Sequence, residues 1–339
     1  MTILQNISLK PYNTFGIDVT AKQFATFTSV EELKELISNS KFKTQNSKLI
    51  LGGGSNILFT KDFDGIILKN ELKGIELVHQ DEEYFYIKAA AGENWHSFVL
   101  HCLNHNYAGI ENLSLIPGTV GASPMQNIGA YGIEIKDIFY QLEALHITTQ
   151  TVQTFNIEDC GFGYRTSVFK TKLKNEFIIL NVTYKLRKKA VLNTSYGAIE
   201  KELEAMHIAE PNIQSVADAV IRIRSSKLPD PARIGNAGSF FKNPVISKFR
   251  RHAIAERFKD LPSFVIDDMH YKIAAGWLIE KCGFKGFRKG DAGCHKDQAL
   301  VLVNYGHAKG SEIFDLSETI ISAVKKEFGI ELEREVNIY

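Results

Sequence analysis

The stretch ENLSLIPGTVGASPMQNIGAYG, Glu111 to Gly132, restricts the fold more than any other part of the chain. Glycines at 118, 121, 129 and 132 and prolines at 117 and 124 forbid a regular helix or a central strand there. Structureless loops of that length are uncommon in compact domains unless they serve a purpose. Regular patterns flank it on both sides. Before it, Trp95, Phe98, Val99, Cys102 and Leu103 fall at i, i+3, i+4, i+7 and i+8, the apolar face of a helix with Asn94 as its cap. After it, strands are expected over Phe139 to Ile147, Thr151 to Ile157 and Phe177 to Leu186.

A second glycine segment, LGGGSN at Leu51 to Asn56, follows the strand pattern of Lys48 to Leu51. Consecutive glycines let backbone N–H groups wrap a phosphate, although a tight turn explains the motif equally well. Neither a P-loop nor a G-x-G-x-x-G fingerprint is present. Two such cradles, one on each side of an intervening sheet, suit a dinucleotide diphosphate lying between two subdomains.

The chain of 339 residues is long for one hydrophobic core, so two or three domains are expected. With 44% hydrophobic and 23% charged residues it reads as an ordinary globular protein. A net charge of +1 argues against a dedicated nucleic-acid binder. No secretory leader or membrane span is read, and four scattered cysteines suggest neither a disulfide framework nor a zinc site, which makes the cytoplasm the expected compartment. His101 and His105 have the spacing of a metal pair without the surrounding motif, so no metal is expected.

The remaining pattern is mixed. Helices are expected over Val30 to Ser38, Gly197 to Ala205, Ser215 to Arg224, Tyr271 to Cys282, and Ser311 to Phe328 with Ser311 as cap. Strands are expected over Gly65 to Asn70, Ile75 to Val78, Tyr84 to Ala90, Ala299 to Asn304 and the terminal GIELEREVNIY. PDPARIGNAGSFFKNP interrupts them and marks a candidate domain boundary. The strands cluster as hairpins, so the fold class is α+β.

Three further features carry possible chemistry. CGFGYRTSVFK places Tyr164 and Arg165 after a Gly-x-Gly bend, where a guanidinium suits a carboxylate, phosphate or enolate and a surface ion pair is the plain alternative. Glu333 and Glu335 alternate on the last strand and share a face; solvation is the ordinary fate of such residues. Ser239, in GNAGSFFKNP, has no nucleophile elbow and no nearby histidine in sequence, so it does not read as part of a triad.

Together, NTFGI, LGGGSN, IPGTVGASPMQNIGAYG, CGFGYRTSVFK, KLPDP, GNAGSFFKNP, AAGWLIEKCGFKG and LEREV resemble the UDP-N-acetylenolpyruvoylglucosamine reductase (MurB) family, in order and over nearly the whole chain. TSYGAIEKEL resembles the substrate-covering tyrosine loop of one of its two classes. The resemblance implies a vanillyl-alcohol-oxidase-type (PCMH-type) FAD-binding fold of two subdomains, 1–70 and 71–228, the latter joined by a terminal strand at 330–339. A C-terminal α+β substrate domain at 229–329 completes it.

It further implies non-covalent FAD, NADPH as reductant and a UDP-linked amino-sugar enolpyruvate as substrate, in a monomer. Hydride passes from flavin N5 to the vinyl carbon. Ser239 then protonates the carbanion or enol that Arg165 and Glu335 stabilise. The cofactor would be held by Gly52, Gly53, Gly54, Ser55 and Asn56, and by Ile116, Pro117, Gly118, Gly121, Ala122, Asn127, Gly129 and Ala130. The substrate would be held by Tyr164, Tyr196, Lys227, Asn243, Lys272 and Gln298. Asn337 stands where the family usually has an arginine. Two rival readings are an FAD oxidase or dehydrogenase of the same fold acting on a sugar or alcohol, and a nucleotide-sugar-binding protein without catalysis.

Overall fold

The computed structural model describes residues 2–44, 47–196 and 198–339. The chain forms two compact units. The first comprises Met1–Ile7, Ala21–Gly53 and Asp64–Ser226, and the second Ser8–Thr20, Gly54–Phe63 and Lys227–Tyr339.

The first unit is built on two sheets. In one, the strands run in the order Leu4–Ser8, Thr20–Phe27, Phe63–Asn70 and Lys48–Leu51, the last two parallel. Helix Val30–Ser38, capped by the Ser29 side chain, covers this sheet through Leu33, Leu36 and Ile37. The other sheet has five strands, ordered Val152–Asn156, Phe139–His146, Phe177–Arg187, Tyr84–Ala90 and Ile75–Gln80. Its contacts between neighbouring strands are antiparallel throughout.

Helix Trp95–Asn104 buries Trp95, Phe98, Val99, Cys102 and Leu103 against this second sheet, and Asn94 accepts from the Ser97 N–H as its cap. A helical stripe five residues strong thus seals a sheet face, the usual way such a face leaves water. Helices Ala198–Ala205 and Ile213–Lys227 pack on each other through Ile199, Leu203, Val216, Ala219, Val220 and Ile223. The expected start of the former, Gly197, lies outside the described residues.

In the second unit, Gly235–Ser239, Val301–Asn304, Ala292–Cys294 and Arg288–Lys289 form a sheet in that order. Val245–Ser247, His270–Ile273 and Ser263–Val265 form another. Helix Gly310–Phe328 supplies Ile313, Leu316, Ile320, Val324 and Phe328 to the core and ends at Gly329 in the left-handed region.

Three expectations need correction here. Tyr271 to Cys282 is not one helix: His270–Ile273 is a central strand, and the helix is only Ala275–Lys281. A short apolar run does not distinguish the two states by periodicity alone. Ser311 is not the cap of the long helix; Lys309 is, its N–H donating to the Glu312 carboxylate. Gly310 opens the helix because a Cβ there would lie 1.7 Å from the Phe59 carbonyl oxygen. The terminal segment is regular strand only at Asn337–Ile338. It pairs in parallel with Ile57–Leu58 of its own unit, while Ile330, Leu332 and Val336 enter that unit's core.

Candidate active site

The loop 111–132 of the first unit has little regular structure, and buried side chains hold it instead. Asn112, 1% exposed, donates to the carbonyls of Tyr131 and Asn193 at 2.9 and 2.8 Å. Trp95 Nε1 donates to Leu113 O, and Ser123 Oγ meets the Tyr184 hydroxyl at 2.7 Å. The Leu115 peptide is held from both sides: its N–H donates to His96 Nδ1 at 3.0 Å, and its oxygen accepts from Arg224 Nε at 3.2 Å. Leu115, Asn127 and Tyr131 all have positive φ, a conformation that persists in non-glycine residues only where the surroundings fix it.

Because Leu115 donates to Nδ1, that nitrogen of His96 carries no proton. Burial, and secondarily the Arg224 charge, hold the His96 pKa below its ordinary value of 6.5. A histidine with a depressed folded pKa contributes its stability above the unfolded value and loses it as pH falls through the folded one. Retention of the cofactor on titration from about pH 7.5 to 5.5 is therefore expected to decline on the acid side. His96→Asn, which keeps an acceptor near the Nδ1 position without titrating, flattens that decline. Fluorescence of released flavin reads both.

Gly52 and Gly53 of the LGGGSN segment lie against this loop within the first unit. A Cβ on Gly53 would stand 2.9 Å from Gly118 Cα, and one on Gly52 2.5 Å from Thr119 Oγ1. Two backbones in such contact leave no room for side chains. Gly54, in the second unit, has φ +64°, and a Cβ there would lie 2.0 Å from Tyr12 O. Among the described residues, the backbone N–H groups of Gly52 and Gly53, both in the first unit, donate to no other backbone group. A run of unclaimed donors in a glycine turn is suited to phosphate oxygens. The residues present fit the FAD diphosphate that the resemblance implies. Gly53→Ala, opposed by backbone rather than by a movable side chain, is expected to weaken FAD binding at least about tenfold, measured by quenching of flavin fluorescence on titration into apoprotein.

Arg165 also sits in the left-handed region, φ +54°, in a turn closed by the Gly163 and Thr166 bridge. Its guanidinium donates to Gly129 O at 2.7 Å and lies 5.4 Å from the Tyr164 ring centre. Asn127, fully buried, fastens that turn to the loop by donating to Gly163 O and Glu134 Oε2 and accepting from Lys136 N. Its amide is thus spent within the protein, and its backbone N–H donates to Pro124 O at 3.4 Å. Tyr196, 48% exposed, meets the Tyr131 ring edge-on at 5.8 Å. Arg224 lies where burial lowers its pKa, beside the Tyr131 phenol and near the Arg165 charge.

In the second unit, Ser239 ends the strand Gly235–Ser239 with its side chain exposed, between buried Ala237 and buried Phe240. Phe240 O accepts from Glu335 N at 2.8 Å, Lys242 N donates to Glu333 O, and Phe241 bridges Arg334. This short antiparallel pairing sets Glu335 against the Phe240–Phe241 peptide, one residue beyond Ser239. Glu333, on the same strand, is exposed and pairs with Lys242. Asn56 Nδ2 donates to Glu335 O, and Asn337, in the family's arginine position, donates through Nδ2 to Asn56 O at 3.0 Å. The departure from the family pattern therefore makes a strand contact.

Of the substrate candidates of this unit, strand register brings together the neighbourhoods of Asn243 and Lys272. Asn243 Oδ1 accepts from Ala275 N, capping a helix whose own cap residue is an alanine. Lys272 pairs with Val245, and Gln298 Oε1 lies close to Gly276, 3.1 Å from where its Cβ would be. Lys227 is exposed at the end of helix Ile213–Lys227. Tyr164, Arg165, Tyr196 and the loop 116–130 belong to the first unit; Ser239, Glu335, Asn243, Lys272 and Gln298 belong to the second.

Sequence reasoning missed Asn112, His96, Arg224 and Asn236. Asn112 and Asn236 lie inside segments singled out from the sequence, where nothing marks them over their neighbours; His96 and Arg224 stand in no motif, and both act on the Leu115 peptide.

Comparison with known proteins gives the same picture. The C-terminal domain model of UDP-N-acetylenolpyruvoylglucosamine reductase matches residues 230–339, and an FAD-binding-domain model matches 21–156. A crystal structure of the MurB enzyme from Thermus caldophilus superposes with a TM-score of 0.70 at 23% identity, over 100% of this chain and 99% of that one, which supports the fold. The relative from Amoebophilus asiaticus is 47% identical over 338 residues, 100% of this chain and 99% of its own. That from Flavobacterium johnsoniae is 50% identical over 339 residues, the full length of both. Identity at that level from end to end leaves one conclusion: the chain belongs to the UDP-N-acetylenolpyruvoylglucosamine reductase family.

Proposed function

We propose that Ser239, Arg165 and Glu335 carry the catalysis, and that Tyr164, Tyr196, Lys227, Asn243, Lys272 and Gln298 hold the substrate. The enzyme is an FAD-containing, NADPH-dependent oxidoreductase that reduces UDP-N-acetylglucosamine enolpyruvate to UDP-N-acetylmuramate, a step of peptidoglycan precursor synthesis. FAD, once reduced by NADPH, supplies the hydride that adds to the terminal vinyl carbon.

That addition leaves an electron pair on the carbon next to the substrate carboxylate. The resulting carbanion, or enolate, is a strong base, so the weakly acidic Ser239 hydroxyl suffices as its proton donor and needs no histidine beside it. The serine recovers its proton from solvent. Arg165 presents a fixed fork of donors to the charge that spreads onto the carboxylate. Glu335 donates a hydrogen bond to that charge when protonated and orients its neighbours when ionised. Lys227 and Lys272 supply positive charge for the substrate diphosphate, with Asn243 as an amide donor or acceptor.

The observation that supports this reading best is the bond from Glu335 N–H to Phe240 O, which brings the backbone of Glu335 to the residue after Ser239 within one unit. We further read 1–70 and 71–228 as the cofactor subdomains and 229–329 as the substrate domain, with Tyr196 on a covering loop. The protein on this reading is a cytoplasmic monomer without a nucleic-acid partner. Among the described residues no helix is long and apolar enough to cross a membrane.

The test is NADPH oxidation with the enolpyruvyl substrate, followed by identification of the lactyl ether product. Oxygen uptake with simple polyols and no enolpyruvyl-dependent turnover would instead support an oxidase of the same fold.

A further inference from the structure

Strand Gly235–Ser239 pairs with Val301–Asn304 in an irregular register: Asn236 stands opposite Val303, but Ser239 stands opposite Val301. Ala237 and Gly238 therefore share the single partner position of Leu302, which is a β-bulge. Side chains alternate faces along a strand, so one extra residue changes the face to which everything beyond it points. Val303 and Val301 lie two apart and share a face. The bulge thus puts Ser239 on the face Asn236 occupies; a regular ladder would turn Ser239 the other way.

Asn236 holds the bulge. It is 2% exposed, and its three side-chain hydrogen bonds are directed at the bulge and the chain leading into it. Oδ1 accepts from the N–H of Gly238 at 2.9 Å, and Nδ2 donates to the carbonyls of Ile234 and Pro229 at 2.9 and 3.0 Å. Gly238 is in the left-handed region at φ +68°, and nothing lies within 4 Å of where its Cβ would be. A buried amide with three satisfied bonds is costly to remove, and here each bond shapes the backbone just before Ser239.

We infer that Asn236 is a positioning residue for the proposed proton transfer: it fixes the Ala237–Gly238 bulge and thereby aims the Ser239 hydroxyl. This rests on the assignment of Ser239 made above. Asn236 touches no reacting atom, so its loss leaves reduction of the flavin by NADPH intact. It impairs protonation of the carbon that has received hydride, because small misplacements of a catalytic group cost up to about 10²-fold in rate.

Asn236→Ala and Gly238→Ala provide the test, in holoenzyme. Gly238→Ala has room for its methyl group and acts only on the left-handed backbone, so it keeps the inference testable if Asn236→Ala fails to fold. Turnover is run in D2O and the unreacted substrate is recovered. The N5 hydrogen of reduced flavin exchanges with D2O, so deuterium is what adds to the vinyl carbon. When protonation is slow the addition reverses, loss of a protium from the CH2D group leaves deuterium at the vinyl carbon, and labelled substrate accumulates. The expected result is slower product formation, an unchanged rate of flavin reduction and a raised ratio of vinyl exchange to product. A general loosening of the domain would weaken substrate binding without raising that ratio, and that outcome overturns the inference, as does wild-type turnover in the folded variants. Ser239→Ala measured alongside separates the two claims. If it retains turnover, the assignment of Ser239 fails. If it loses turnover while both bulge variants behave as wild type, only the role of Asn236 fails.

Discussion

Ser239→Ala holoenzyme is reduced by NADPH at the wild-type rate and then reoxidised by the enolpyruvyl substrate about 10²–10⁴-fold more slowly, the range typical for loss of a positioned general acid. The asymmetry between the half-reactions is the informative part. Ser239 is exposed at the end of a strand. Removing one oxygen there costs little stability, so folded, flavin-loaded protein is expected. A loss confined to the second half-reaction assigns the hydroxyl to protonation. A loss of both would point to displaced cofactor. Rapid-mixing absorbance at the flavin band separates them in one preparation.

Arg165→Met lowers the rate of the second half-reaction by about 10²–10³-fold, the usual cost of deleting a preorganised electrostatic contact. Arg165→Lys recovers little of it, since an ammonium lacks the planar fork that matches a carboxylate. The geometry adds a control. Arg165 also donates to Gly129 O, inside the loop proposed to hold the cofactor. FAD content must therefore be measured in each variant, and the rate expressed per bound flavin. If FAD affinity alone changes and the rate per flavin does not, Arg165 serves the loop rather than the developing charge.

How much of this was legible in the sequence depended on how local the cause was. The helix Trp95–Asn104 could be read with its start because both signals, the apolar stripe and the Asn94 cap, are local to it. The loop 111–132 announced itself through glycine and proline, yet nothing in the sequence said how it is held. Its clamps come from His96, Asn193 and Arg224, up to 109 positions away along the chain. Tyr271 to Cys282 misled because a buried strand and a short buried helix present the same apolar run, and only neighbouring strands decide between them.

The site shows the same division. Residue chemistry offered Glu333 and Glu335 equally, and only the resemblance to a family preferred the latter. The structure distinguishes them by environment: Glu333 is exposed and paired with Lys242, whereas Glu335 is partly buried beside the Phe240–Phe241 peptide. The bulge that aims Ser239 was invisible, since a register shift exists only between two strands.

The most direct test of the central claim is an anaerobic absorbance titration of the purified holoenzyme with NADPH, followed by UDP-N-acetylglucosamine enolpyruvate. The account predicts that NADPH bleaches the flavin band and that the substrate restores it, one equivalent of lactyl ether forming for each flavin reoxidised. A flavin that bleaches and stays reduced in the presence of that substrate, or a protein that binds no FAD, would contradict it.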